Sequence, residues 1–273
     1  MKSELLMMTA GLTDVGQARD HNEDAICVDT VSELYAIADG MGGHMHGEVA
    51  SQATLEELIK KIKNHALNAS EPIKQDEYYD IVMETVVSCN ELILGKNRDN
   101  GSALGEGMGT TLVGAYFLRD KKKVVVFNVG DSRLYRLRGG ELQQLTRDHT
   151  MYQEWFEAGQ KGTAPSRNIL IKAIGLLDNI VPDITLETVC EGDVFLICSD
   201  GLSNMIELEV MQDILIQNLQ QSPETLCKEL ISTANTNGGQ DNISAVVIRV
   251  VASSSANHTA EDLDQTIQHT SVR

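Results

Sequence analysis

The chain has 273 residues, 42% of them apolar, which is enough for a sizeable core and argues against global disorder. A formal net charge of −18 repels phosphate backbones and anionic headgroups, against a nucleic-acid or membrane-surface protein. No apolar run approaches the ~20 residues of a membrane span, MKSELLMMTAG is broken by Glu4 and makes a poor signal peptide, and five scattered cysteines without a CxxC fit a reducing cytosol. A cytoplasmic protein is expected.

The first strand is expected over residues 6–15, leading into a loop, GQARDHNED. A compact hairpin follows: DAICVD, a turn at Thr30–Glu33, then ELYAIAD. With that turn, facing positions sum to 63, so Asp24 lies opposite Asp39 and Glu23 opposite Gly40. Residues 47–64 show helical spacing through Val49, Ala53, Leu55, Leu58 and Ile62, and residues 74–97 through Tyr78, Ile81, Val82, Thr85, Val86, Cys89 and Ile93. A Gly-rich loop, NGSALGEGMG, leads to the strands TTLVGAYFL and KVVVFNVG, then to SRLYRLRGGELQQL, where Gly139–Gly140 reads as a hairpin turn. Residues 146–168 read as an irregular insertion with a short helix around Trp155. The strands ITLETV and DVFLICS precede helices near 207–219 and 223–236, and ISAVVIRVV is the last strand. Strands joined mostly by hairpins, with helix pairs between them, predict an α+β fold: a four-layer α-β-β-α sandwich of two antiparallel sheets flanked by helix pairs. Residues 1–251 are expected to form one domain and the polar residues 252–273 a disordered tail.

Asp39, Asp131 and Asp200 each end an apolar strand-like run, in AIADGMGG, FNVGDSR and LICSDGLS, and Asp241 starts one in GGQDNISAVVI. In an antiparallel sheet the end of one strand lies beside the start of its neighbour, so all four can gather at one edge. Carboxylates beside small residues suit hard divalent cations, which prefer oxygen ligands. Each acid taken singly is equally readable as a turn or helix cap.

Seven strings occur in a particular order: GQARDHNEDA (16–25), DGMGGHMHGEVAS (39–51), MGTTL (108–112), VGDSRLYRL (129–137), LTRDH (145–149), SDGL (199–202) and GGQDNIS (238–244). In this the chain resembles the metal-dependent Ser/Thr protein phosphatases of type 2C, in their compact bacterial branch. The resemblance covers about residues 10–250. It implies hydrolysis of phosphoserine and phosphothreonine on proteins by water activated at a binuclear Mn²⁺ or Mg²⁺ site, with two tightly bound ions and a weaker third. Such chemistry needs a hydroxide at neutral pH and positive charge on the phosphate oxygens, which paired metals supply.

By the same resemblance, Asp39 bridges both metals, the Gly40 carbonyl binds the second, and Glu23 serves that second metal directly or through water. Asp200 and Asp241 hold the first, and Asp131 with Asp200 holds the third. Arg19 would grip two phosphate oxygens through its planar fork, the alternative being a surface pair with Asp14 or Asp20. His44 is the candidate proton donor to the leaving alkoxide, the alternative being a neutral loop histidine; the place of the animal relatives' histidine is taken by Met41. Asp24 and Asn242 would support the ligands from behind. His21 and His149 read as loop hydrogen-bonding residues, and Gly109–Thr110–Thr111 as useful for its small size. Two departures stand out: Asn204 where relatives often have an acid, and a short segment between Asp148 and Arg167.

The implied partners are phosphorylated proteins and a Ser/Thr protein kinase, with no nucleic acid or membrane, and the expected state is a monomer. A non-catalytic phosphoprotein-binding module of the same fold would have lost a metal acid or Arg19, and all are present. A phosphatase of small metabolites is the other alternative.

Overall fold

The computed structural model describes residues 5–42, 46–68, 77–118 and 122–253. In chain order these form β1 (Leu5–Asp14), β2 (Asp24–Asp29), β3 (Leu34–Met41), α1 (His46–Asn68), α2 (Glu77–Asp99), β4 (Gly109–Thr110), β5 (Leu112–Leu118), β6 (Lys123–Val129), β7 (Arg133–Arg138) and β8 (Glu141–Gln144). There follow α3 (Met151–Glu157), β9 (Asp183–Thr188), β10 (Val194–Cys198), α4 (Asp200–Ser203), α5 (Leu208–Gln217), α6 (Pro223–Thr236) and β11 (Ile243–Ala252). One sheet has the order β1-β11-β10-β7-β8 and the other β2-β3-β5-β6-β9, with β4 paired to the end of β3. Every pairing is antiparallel.

Strand periodicity explains the layers. Along β3, Leu34, Ala36 and Ala38 face α1 and α2, while Tyr35 and Ile37 face the opposite sheet. The same alternation runs through β11, with Val246, Ile248 and Val250 between the sheets and Ile243, Ala245 and Val247 towards the C-terminal helices. Strands covered on both faces lose the polar alternation of an exposed sheet, which is why LVGAYFL and VFLIC read as unbroken apolar runs. An edge-to-face contact between Phe117 on β5 and Phe195 on β10, at a centroid distance of 5.2 Å, joins the sheets, and Tyr35 on β3 packs edge-on against the same Phe117 at 5.8 Å. The result is the expected α-β-β-α sandwich.

Details depart from the sequence reading. Val49 is 44% exposed, although the helical pattern placed it on the apolar face. The buried stripe of α1 runs instead through Ala50, Thr54, Leu58 and Ile62 at a spacing of four, on the side of the helix roughly 100–220° around from Val49. Cys27, Cys89, Cys198 and Cys227 are buried and Cys190 is exposed. Burial pushes the four buried thiols up to about 12, so they act as core side chains. β11 extends to Ala252, paired with Leu5; the remainder of the expected tail, from residue 254, lies outside the described residues.

Candidate active site

The hairpin of β2 and β3 pairs Asp24 with Asp39. Beyond that pair, the Gly40 N–H donates to the Glu23 carbonyl at 3.1 Å. Residue 40 must be glycine, because a Cβ there would stand 2.2 Å from the Gly47 carbonyl. A Cβ on Gly47 would in turn meet the Glu23 carboxylate at 2.7 Å. The two glycines therefore let the first turn of α1 close on Glu23. Ser51 in the next turn donates to the Glu23 carbonyl at 2.6 Å.

Asp39 is held by its backbone. Its N–H donates to Thr111 Oγ1 (3.0 Å), while its carbonyl accepts from the Thr111 N–H (2.8 Å) and from Thr110 Oγ1 (2.9 Å). These threonine hydroxyls do more than leave space, which was the only use the sequence suggested for them. From the other sheet, β10 delivers Asp200 and β11 begins two residues after Asp241, on adjacent antiparallel strands. Asp131 follows β6 at the turn into β7. Glu23, Asp39, Gly40, Asp131, Asp200, Asp241 and Arg19 thus line one cleft of about 320 Å³. A larger groove of about 600 Å³ between β1 and α6 gathers no such cluster, its charged lining residues being Asp14 and Lys228.

Arg19 Nη2 lies 2.8 Å from Asp241 Oδ2, at the cleft and half exposed, rather than on Asp14 or Asp20. Asn242 fastens three segments at once: its Oδ1 accepts the Glu23 N–H (2.8 Å), and its Nδ2 donates to the carbonyls of Val15 (3.0 Å) and His21 (2.8 Å). Asp24 is buried and accepts from Ser244 Oγ at 2.6 Å through Oδ2. Asn204 Nδ2 donates to Asp200 Oδ2 at 3.1 Å, so the amide replaces an acid's charge with a hydrogen bond. His44 lies outside the described residues.

Burial and mutual repulsion oppose ionisation of this cluster. Burial is the largest influence on Asp39, whose carboxyl is held well above its ordinary range, followed by the charges of Asp24, Asp200, Asp131 and Asp241. Asp24 and Asp131 are each pushed up to about 7, again chiefly by burial. Burial and Asp241 raise Asp200, and a hydrogen bond with Asp39 works the other way. Among the described residues no three acid, His or Cys side chains are closed around one point. The donor set, carboxylates with one nearby carbonyl, nonetheless fits hard cations and not zinc.

A carboxyl whose folded pKa exceeds its unfolded value contributes stability below the unfolded pKa and loses it as pH rises through the folded one. The chelated protein should therefore melt higher at pH 6 than at pH 8, by scanning calorimetry, and Asp24→Asn should shrink that difference. Equal melting temperatures across that range would contradict the raised carboxyls.

A family model described as Protein phosphatase 2C matches residues 16–241. The chain belongs to the protein phosphatase 2C family. Its relatives include the serine/threonine phosphatase stp of Listeria welshimeri, 36% identical over 247 residues that cover 86% of this chain and 93% of the relative. The protein phosphatase PhpP of Streptococcus pneumoniae is 31% identical over 245 residues, 87% of this chain and 95% of the relative. Among solved structures, the S. agalactiae serine/threonine phosphatase matches with a TM-score of 0.79 and 30% identity, covering 89% of this chain and 99% of that one. The catalytic domain of the phosphatase PstP, solved with two manganese ions, matches with a TM-score of 0.77 and 31% identity, over 90% and 99%. This protein phosphatase 2C is an enzyme, a Ser/Thr protein phosphatase of a family that uses divalent metals. No described helix is long and apolar enough to cross a membrane.

Two supports of the phosphatase site were not found by sequence reasoning. Asn97, buried on α2, donates to the carbonyls of Met108 (2.8 Å) and Gly175 (2.9 Å) and accepts the Met108 N–H (3.0 Å). Asn90, two turns earlier, accepts the Gly175 N–H and donates to the Leu177 carbonyl, both at 2.8 Å. Together they fix the strand β4 that carries Thr110. The signal was present: an asparagine pair seven residues apart on a helical face that is apolar but for Thr85. Asn97→Ala strands three buried backbone groups at ~1–3 kcal/mol each before relaxation. Urea denaturation should show a loss of about 3 kcal/mol, and a loss under 1 kcal/mol would mean that water replaces the amide.

Proposed function

We propose that Glu23, Asp39, the Gly40 carbonyl, Asp200 and Asp241 hold two Mn²⁺ or Mg²⁺ ions, and that Asp131 with Asp200 holds a weaker third. Arg19 binds the phosphate of phosphoserine or phosphothreonine in protein substrates. The observation that carries this reading is the convergence of these acids, from both sheets, on one cleft with the Arg19 guanidinium inside it. When bound, such a metal pair acidifies a shared water and neutralises phosphate oxygens.

The chain's own residues do the rest. Arg19 is paired with Asp241, so the guanidinium can be drawn from that carboxylate to the phosphate once cations neutralise the cluster. Asn242 and Ser51 fix Glu23, the threonines fix Asp39, and Asp24 stands behind them as a buried acid bonded to Ser244. His44 supplies the proton to the leaving alkoxide. In the cytoplasm the enzyme opposes a Ser/Thr protein kinase whose products are its substrates.

The test is phosphate release from a phospho-Thr peptide and from a sugar phosphate, each with and without Mn²⁺. Mn²⁺-dependent cleavage that strongly favours the peptide supports the proposal. Equal rates on both substrates would assign the cleft to small metabolites.

A further inference from the structure

Behind the turn that carries Asp131 lies a fully buried imidazole. The Gly130 N–H donates to His149 Nδ1 at 3.1 Å, and the His149 N–H donates to the Gly130 carbonyl at 2.9 Å. Gly130 has φ +112°, and a Cβ on it would stand 2.6 Å from the Thr111 side chain, so residue 130 itself has no side chain to anchor it and is held through its backbone, its carbonyl also accepting from Asn128 Nδ2 at 3.2 Å. The neighbouring contacts reinforce the same place: Asn128 Nδ2 donates to the Arg147 carbonyl (2.9 Å), and Ser132 Oγ lies 2.7 Å from Thr111 Oγ1. Since Thr111 also receives the Asp39 N–H, a shift of this turn reaches two acids of the cleft.

We infer that His149 is a positioning residue for the phosphatase reaction, fixing the Gly130–Asp131 turn through Nδ1 and so setting where the Asp131 carboxylate stands. The inference rests on the proposed part of Asp131 in the metal cluster. An amide N–H can only donate, so Nδ1 is the acceptor and the ring proton sits on Nε2, which faces Asp183 Oδ1 at 3.2 Å. Lys172 Nζ stands 3.4 Å from Nε2 and shares that carboxylate at 3.3 Å. Burial and the Lys172 charge hold the imidazole below its ordinary pKa, which keeps the acceptor available. The His149 carbonyl accepts the Ile171 N–H at 2.9 Å, so one residue also closes the base of the segment that contains α3.

Conservative variants separate this role from packing. His149→Asn keeps an oxygen close to the place of Nδ1 and loses the reach to Asp183. His149→Gln keeps the reach to Asp183 and offers the Gly130 N–H nothing. Asparagine removes more volume, so packing alone ranks Gln at or above Asn, whereas the inference ranks Asn above Gln. Turnover of phospho-Thr peptide with Mn²⁺ should fall roughly 10-fold in the Gln variant, with KM nearly unchanged, and stay within about threefold of the parent in Asn. The Mn²⁺ concentration for half-maximal activation and the calorimetric Mn²⁺ stoichiometry should follow the same order. His149→Leu, close in size and without an acceptor, serves in place of Gln if that variant does not fold. Equal or better turnover in Gln or Leu than in Asn overturns the inference. Asp131→Asn is run beside them: full turnover and parental metal binding there would instead remove Asp131 from the cluster.

Discussion

Arg19→Ala is expected to lower turnover of a phospho-Thr peptide by roughly 30- to 1000-fold, equivalent to ~2–4 kcal/mol for a charge-assisted pair with the reacting phosphate. Arg19→Lys should already be impaired, because an ammonium cannot grip two oxygens in one plane. The fold should be indifferent to either change: Arg19 is half exposed, and its ion pair with Asp241 is of the kind that contributes ~0–1 kcal/mol. Steady-state kinetics with a melting control decides. Turnover within twofold of the parent in Arg19→Ala would return this arginine to the surface.

Asp39→Asn should move stability and activity in opposite directions. In chelator, the neutral amide removes the carboxylate that burial and four neighbouring acids disfavour, so the variant should melt higher than the parent. Two carboxylates ~4 Å apart at an effective dielectric of 20 repel by about 4 kcal/mol, which sets the scale of the relief. With Mn²⁺ in hundredfold excess over Kd, the parent gains about 2.7 kcal/mol from binding to the folded state alone. The variant should lack most of that gain and nearly all turnover. A parental rise in melting temperature on adding Mn²⁺ to Asp39→Asn would show that Asp39 is not a ligand.

Much of this arrangement was legible in the chain because it is local. The Thr30–Glu33 turn fixes the hairpin register, and that register alone sets Asp24 against Asp39. The two facing periods of β3 and β11 likewise reveal sheets buried on both sides. What escaped is long-range. Arg19 and Asp241 are separated by 222 residues, so composition nearby pointed to Asp14 or Asp20 instead. Thr110 and Thr111 look merely small until β4 is laid against β3, when their hydroxyls reach the Asp39 backbone. Asn90 and Asn97 obey the helical period, and their partners become visible only once the loop at Gly175 is folded beneath them. The effect of Asn204 was readable as a lost charge, but not as a bond to Asp200.

The cleft is a seam. Glu23 and Asp39 come from the sheet of β2 and β3, Asp200 and Asp241 from that of β10 and β11, and Ser244 on β11 reaches Asp24 on β2 directly. Neither half possesses the cluster until the two sheets have docked through Tyr35, Phe117 and Phe195. Under the proposed metal assignment a half-folded chain offers cations little to hold, and the full ligand set exists only once the sheets have docked. Interactions absent from the transition state act on the rate of leaving the native state. Divalent ions held as proposed at this seam would thus be a latch on a closed book, expected to slow its opening more than they help the covers to meet.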